Sequence, residues 1–169
     1  MNRPSVWHAF VCLVVCGACG CETASQVNSP GESQTPTAPT AQQAAATEPG
    51  PQDPDAPAEF TTADSGLKYR VLRKGSGAKP TSADTVEVNY KGWLDDGKVF
   101  DSSYERGQSI SFPLLDVIPG WTEGMQYVGE GGMIEMEIPG DLAYGPSGRP
   151  PVIPPNATLH FIIELISVQ

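Results

Sequence analysis

The chain has 169 residues, of which 20 are acidic and 10 basic, so its formal net charge is −10 and its pI is about 4.5. This balance argues against nucleic acid as a partner, because binding to phosphates requires clustered Lys and Arg side chains. The 18 Gly and 17 Pro make about a fifth of the chain, against roughly 12% in average proteins, and argue against a mostly helical fold.

Residues 1–21 have the pattern of a secretory signal. Arg3 makes the start positive, the apolar run 6–15 is about half the ~20 residues needed to cross a bilayer, and small residues follow it. A Cys after small residues at the end of such a run resembles a bacterial lipobox, in which the thiol is acylated and becomes the new N-terminus. We expect lipidation at Cys21, or else at Cys19, although the Leu that typically opens the motif is absent.

Two other interpretations of these cysteines stay open. Cys16-x-x-Cys19 has the spacing of a redox or metal motif, but it directly follows the apolar run, with only His8 nearby as a further ligand. The segment also fits an ordinary cleaved signal without lipid. All four Cys lie within the first 21 residues, so the remaining chain has no disulfide, thiolate nucleophile or Cys-ligated zinc.

Residues 22–60 have the composition of a tether. They contain seven Pro and six acidic residues, no Lys or Arg, and only Val27 among the large apolar types before Phe60. Such a segment cannot form a core, and its Pro spacing prevents a long helix. We expect a disordered, partly extended linker that holds the next domain away from a membrane surface.

Residues 61–169 have the size and patterning of a single domain, with 14 acidic and 9 basic residues. Apolar residues alternate with polar ones in four segments, which predicts strands with one buried face. The segments are centred on 67–71, 86–90, 134–138 and 159–165. Asp95-Asp96-Gly97 is a hairpin signal between two strands, and a helix is predicted from Pro119 to about Tyr127. The fold class is α+β, an antiparallel sheet curled against one short helix.

Reactive side chains are scarce in this domain. His160, its only His, alternates with Leu159 and Phe161, so it is predicted to face away from the core and no hydrolytic triad or metal site is supported. Glu135 and Glu137 lie two apart on a strand and are predicted to be an ordinary charged surface. Gly129–Gly132 fits a tight turn better than a phosphate-binding loop. No cofactor or metal is expected.

Aromatic and branched apolar residues instead concentrate next to turns, in five ordered blocks. They are Val88-Asn89-Tyr90-Lys91-Gly92, Asp96-Gly97-Lys98-Val99-Phe100-Asp101-Ser102-Ser103, Val117-Ile118-Pro119-Gly120-Trp121, Ala143-Tyr144-Gly145 and Ile153-Pro154-Pro155-Asn156-Ala157-Thr158-Leu159. With these blocks, residues from about 65 to 169 resemble the FKBP-type (macrolide-binding) peptidyl-prolyl isomerase family. The resemblance implies a curved antiparallel half-barrel around one short helix.

The resemblance also implies a site. The family's catalytic positions correspond to Tyr144, Asp101, Phe100, Trp121 and Phe161, and its substrate-binding positions to Tyr90, Arg106, Ile110, Val117, Ile118, Val152 and Ile153. Trp121 would form the floor, and Arg106 would pair with Asp101. The chain departs from the common pattern at Ile110, where an aromatic wall is usual, at Arg149, where His is usual, and at Leu142, where Tyr is frequent.

The implied activity is cis-trans isomerisation of X-Pro bonds. From the signal-like N-terminus and the Pro-rich tether, we expect it to act on proteins outside the cytoplasm, as a monomer lipid-anchored at the cell envelope. Its partners would be proline-containing segments of folding proteins, the membrane through the anchor, and macrolide inhibitors. Two alternatives use the same pocket: a binding module without turnover, and a holdase chaperone. The second is less favoured, because only seven residues separate Tyr144 from Val152 and leave no room for an inserted domain.

Overall fold

A computed structural model describes residues 47–169. The predicted signal, the lipidation site at Cys21 or Cys19 and most of the predicted linker lie outside the described residues. Within 47–169, no helix is long and apolar enough to cross a membrane.

Seven strands and two short α-helices make up the described part of the chain. The strands are β1 (Thr61–Thr62), β2 (Lys68–Arg73), β3 (Thr85–Leu94), β4 (Val99–Ser102), β5 (Ile110–Pro113), β6 (Met133–Ile138) and β7 (Leu159–Val168), and the helices are α1 (Ser103–Arg106) and α2 (Pro119–Gly124). Single 3-10 turns follow at Met125–Tyr127, Gly140–Leu142 and Gly145–Ser147.

The strands form one open antiparallel sheet in the order β1-β2-β6-β7-β3-β4, with β5 also paired to β3. The long strand β3 pairs along one edge with β7, and along the other edge with β5 in its first half and β4 in its second. Register shifts at Gly92/Trp93 and Glu87/Val88 place one extra residue on the partner strand, Phe100 on β4 and Ile166 on β7, and such bulges increase the local twist. β3 thus lies between the two strands that carry Phe100 and Phe161.

The α+β prediction is confirmed. The predicted alternation places one face of β3, β6 and β7 in the core, including Val86, Val88, Ile134, Met136, Ile138, Leu159, Phe161, Ile163 and Leu165. The predicted helix 119–127 is present as α2 and the 3-10 turn after it. The sequence analysis did not predict α1, a single turn in which the Ser102 hydroxyl accepts from Glu105 N–H and Gly107 ends the turn with φ 67°.

Close approach of α2 to β6 fixes the position of Trp121. A Cβ at Gly124 would overlap Sδ of the fully buried Met136, so a larger residue there would push the helix off the sheet. Pro119 at the first turn supplies the backbone angle that starts the helix. Gly124 and Pro119 together hold Trp121 against the sheet, where its side chain is 4% exposed.

Residues before position 61, which the sequence analysis assigns to the linker, already contact the sheet. Residues 50–58, named here the strap, make one backbone hydrogen bond to β2, from Asp53 N–H to Leu72 O at 2.8 Å. The Arg70 side chain also donates from Nη1 to Ala58 O at 2.7 Å. Arginine side chains of β2 thus satisfy carbonyl groups of a Pro-rich segment that has no ladder of its own. Composition alone cannot reveal such contacts, because they depend on donors supplied by β2.

Candidate active site

A cavity of about 690 Å³ opens on the core face of the sheet, between α2, β4 and the loop that joins β6 to β7. It is lined by Tyr90, Phe100, Asp101, Phe112, Asp116, Val117, Ile118, Trp121, Tyr144, Arg149, Pro150, Pro151, Val152, Ile153 and Phe161. Ten of the twelve predicted site residues are in this lining. Arg106 and Ile110 are not.

The inner wall of the cavity is aromatic. The ring centroid of Trp121 lies 5.2 Å from those of Tyr90 and Phe161 and 5.7 Å from that of Phe112, in edge-to-face arrangements. Phe100 meets Phe161 edge-on at 5.5 Å. Gly92 permits that contact, because a Cβ there would lie 2.7 Å from atoms of both rings. Interlocked rings of this kind form a rigid apolar wall.

One donor in this wall has no partner. Within residues 47–169, Trp121 Nε1 is the single buried side-chain N or O atom without a hydrogen bond. An unsatisfied buried donor costs about 1–3 kcal/mol, and such groups require an explanation in a native structure. Its place in the cavity wall is consistent with a surface built to contact a ligand.

Asp101 is the centre of a hydrogen-bonded charge network at the cavity edge. The Tyr90 hydroxyl donates to Asp101 Oδ2 at 2.5 Å, Arg106 pairs with Asp101 Oδ1, and Arg106 Nη2 donates to Tyr90 Oη at 3.0 Å. Burial opposes ionisation of Asp101, but the bonds from Tyr90 and Arg106 outweigh it and hold its pKa below the ordinary value. Burial, followed by the bond to Asp101, raises the pKa of Tyr90 to about 12.

The network makes Asp101 an ionised acceptor, with both oxygens occupied. A carboxylate held in that form is a weak base, so it can orient the cavity edge and impose a field but is poorly suited to accept a proton. Arg106 was predicted to contact substrate. It lies outside the cavity lining and acts on the site through Asp101 and Tyr90.

The aromatic wall of strand β5 comes from Phe112. Ile110 pairs with Val88, packs against the core and is absent from the lining, whereas Phe112 pairs with Val86 and contacts both Tyr90 and Trp121. Phe112, two residues along the strand and on the same face, is therefore the β5 residue that lines the cavity, and substrate contact by Ile110 stays a prediction. The period of two along Ile110-Ser111-Phe112 is the signal that could have found Phe112.

Tyr144 and Arg149 lie side by side in the loop that joins β6 to β7. The Arg149 guanidinium carbon lies 5.8 Å from the centroid of the Tyr144 ring, and its Nη1 is 3.4 Å from the Tyr144 hydroxyl oxygen. Arg149 is tied to Ile153 by paired backbone hydrogen bonds of 2.8 and 3.0 Å. Val152 projects at the rim, 40% exposed, while Ile153 is buried. The loop thus presents one hydroxyl and one cation beside apolar side chains.

Comparison with known proteins identifies this arrangement. A family model described as FKBP-type peptidyl-prolyl cis-trans isomerase matches residues 76–166. The chain belongs to this family. The FKBP-type isomerase FkpA of Escherichia coli (strain K12) is 54% identical over 108 residues, which are 64% of this chain and 40% of that protein. Isomerase Mip of Coxiella burnetii is 51% identical over 104 residues, 62% of this chain and 45% of the relative.

Solved structures agree with the FKBP fold. The crystal structure of FkpA from Escherichia coli superposes with a TM-score of 0.64 at 51% identity, covering 67% of this chain and 53% of that one. The structure of AtFKBP13 gives a TM-score of 0.61 at 35% identity and is covered over 99% of its length. The chain spans less than half the length of the curated relatives it matches.

The other candidate groups of this FKBP domain have structural partners. Glu135 and Glu137 form ion pairs with Arg70 and Lys68 at 2.6 and 3.1 Å, as expected for a charged sheet surface. His160 Nε2 lies 2.7 Å from Asp95 Oδ1, and its ring stacks on Trp93. Among residues 47–169, no group of three or more His, Cys, Asp or Glu side chains could hold a metal ion.

Proposed function

We propose that the protein accelerates cis-trans rotation about X-Pro bonds in proteins outside the cytoplasm. The observation that carries the proposal is the aromatic cavity over Trp121, with the Tyr144 hydroxyl at its rim. This site offers apolar surface and a few hydrogen-bond donors, and isomerisation needs neither a nucleophile nor a proton transfer, because the only electronic change is loss of amide resonance.

The energetics fit such a site. Rotation about the X-Pro bond crosses ~18–20 kcal/mol and takes tens to hundreds of seconds unaided. An acceleration of ~10⁴ needs about 5.5 kcal/mol of preferential binding to the transition state. A hydrogen bond from Tyr144 to the carbonyl of residue X supplies about 1 kcal/mol. The rest is assigned to burial of the twisted, less polar amide against Trp121 and Phe161.

The remaining lining residues have supporting roles in this proposal. Phe100 and Phe112 complete the apolar wall, and Asp101 fixes the cavity edge through its charge. Val117, Ile118, Val152 and Ile153 contact the substrate on either side of the proline. An apolar cavity of about 690 Å³ also suits macrolide inhibitors of the family.

The test is a protease-free isomerisation assay on the full chain with X-Pro peptides. Tyr144→Phe should lower kcat/KM about fivefold, the loss of one hydrogen bond, and Trp121→Ala should lower it much further. Tyr127→Phe is the matched control, since the Tyr127 hydroxyl contacts Glu123 outside the cavity. A rate no faster than buffer would overturn the enzyme proposal.

A binding module is the second candidate. Leu115, between β5 and α2, is 72% exposed, and it and Val152 are the exposed large hydrophobic residues of the described chain. Apolar side chains beside the cavity suit the holding of unfolded segments. Peptide binding measured by calorimetry without turnover in the assay above would favour this function over catalysis.

We further propose that the domain is monomeric and lipid-anchored at the cell envelope through Cys21, with Cys19 as the alternative. Two observations support the anchor. Residues 1–21 resemble a secretory signal and an acidic, Pro-rich segment follows them. A relative from Legionella longbeachae, 50% identical, is named outer membrane protein MIP. The intact mass of protein extracted from envelopes decides: Cys21→Ser should lose the added lipid mass, and an unmodified mature N-terminus in the wild type would contradict the anchor.

A further inference from the structure

The cation at the cavity rim has no counter-charge. Residues 47–169 contain four arginines, and Arg70, Arg73 and Arg106 each pair with a carboxylate within 4 Å. Arg149 forms no such pair, although it lines the cavity and is exposed. An unpaired guanidinium beside a binding cavity is available to a ligand.

The side chain is also held in place. Paired backbone bonds to the buried Ile153 fix the Arg149 backbone, and the guanidinium lies against the Tyr144 ring with Nη1 3.4 Å from the hydroxyl oxygen. A cation–π contact restricts a long cationic side chain before the ligand arrives, so the side chain loses less conformational entropy on binding. Arg149 is therefore a preorganised binding group.

We infer that Arg149 selects substrates with an acidic side chain immediately before the proline. The inference rests on the proposed function: Tyr144 binds the carbonyl of residue X, and the guanidinium beside Tyr144 then lies next to the side chain of that residue. The carboxylates of the lining do not cancel this charge. Asp101 is neutralised by Arg106, and Asp116 lies on a different loop, between β5 and α2, outside ion-pair distance of Arg149.

The experiment compares kcat/KM of the full chain for three peptides that differ only before proline, with Glu, Gln or Lys. The Glu peptide should be favoured over Gln, and Gln over Lys, each by about threefold at low salt, the size expected for an exposed ion pair. High salt should reduce both ratios toward one, since exposed charges are screened. Arg149→Gln should abolish the preference, and Arg149→Glu should reverse it.

Lys79→Gln is the matched control. It removes the same charge from an exposed lysine outside the cavity lining, so the Glu-to-Lys ratio should stay at its wild-type value. Equal rates for the three peptides, or a ratio unchanged in Arg149→Gln, would overturn the inference. The Gln peptide separates the two proposals. If it is not turned over, the proposed isomerase activity is contradicted. If all three peptides are turned over equally, only the role of Arg149 is contradicted.

Discussion

Asp101 is the residue on which the polar edge of the cavity depends. Its two oxygens accept from Tyr90 and Arg106, and Arg106 bonds to Tyr90 as well, so the three side chains form a closed triangle. Groups connected in this way act as a unit. The buried Tyr90 and Arg106, which lies outside the cavity lining, thus fix the orientation of the Asp101 carboxylate.

Substitutions in this triangle should be non-additive. Asp101→Asn keeps the shape but removes the charge, and we expect kcat/KM to fall about tenfold, as for loss of a charged hydrogen-bond acceptor. Arg106→Gln should cost less, because Arg106 does not line the cavity. In the double variant, Arg106→Gln should add little to Asp101→Asn. Additive losses, measured in the same assay, would contradict a role of Arg106 through Asp101.

The phenol of Tyr90 gives the fold a dependence on alkaline pH. Its pKa is about 12 in the folded protein against 10.0 ordinarily, so between these values the unfolded chain loses the proton and the folded one keeps it. The stability from this group is complete below about pH 10 and is lost as pH rises toward 12. In denaturant unfolding across that window, Tyr90→Phe should show a shallower fall of stability with pH.

Tyr104 also has a raised pKa, because it is buried and donates to Glu164, so part of the fall should remain in the Tyr90→Phe variant. An identical slope in wild type and variant would mean that Tyr90 ionises normally in the folded state.

At the scale of elements, α2 is placed by the absence of a side chain at Gly124. Gly124→Ala should destabilise the domain by about 1–3 kcal/mol, the cost of overpacking a filled core. It should also lower isomerisation, since Trp121 moves with the helix. Met136→Val removes the sulfur that the new methyl would overlap. The double variant should therefore lose less stability than the sum of the two single changes.

The strap is the second element that the site depends on indirectly. Gly50 N–H donates to Glu164 Oε1 at 3.2 Å, Arg73 Nη1 donates to Pro51 O at 2.8 Å, and Arg73 Nη2 pairs with the same Glu164 oxygen at 2.8 Å. Tyr104 donates to the other oxygen of Glu164 at 2.6 Å. The strap thus supplies part of the hydrogen bonding of a carboxylate that is buried in the sheet.

Removal of the strap should expose that dependence. A chain starting at residue 61 loses the bonds of Gly50 and Pro51 to Glu164 and Arg73, and we expect it to be less stable than a chain starting at residue 47 by about 1–3 kcal/mol. Tyr104→Phe, introduced into both chains, tests whether Glu164 keeps its position without the strap. If it does, the substitution should lower the free energy of unfolding by a similar amount in the two chains. Equal denaturation midpoints for the two lengths would show that the strap contacts contribute nothing.

At the scale of the molecule, residue patterning predicted the sheet and the helix, because alternation fixes which side of a strand is buried and Pro119 starts the helix that carries Trp121. The ten predicted residues that line the cavity came from the family resemblance and not from patterning. Patterning could not predict the strap, whose contacts depend on Arg70 and Arg73 from another strand. The family resemblance implies Ile110 as a site residue, and only the register of β5 against β3 shows that Phe112 is the β5 residue that contacts Trp121.

The position of the strap leads to a prediction about the proposed lipid anchor. Along β7, Phe161 faces the cavity and Glu164 the opposite side of the sheet, so the strap that contacts Glu164 lies on the face away from the cavity. The chain at Gly50 therefore lies on that face. If the lipid only anchors, the wild-type chain in detergent micelles and its Cys21→Ser variant should have the same kcat/KM for short X-Pro peptides. A lower value for the lipidated protein would indicate that the membrane obstructs the cavity.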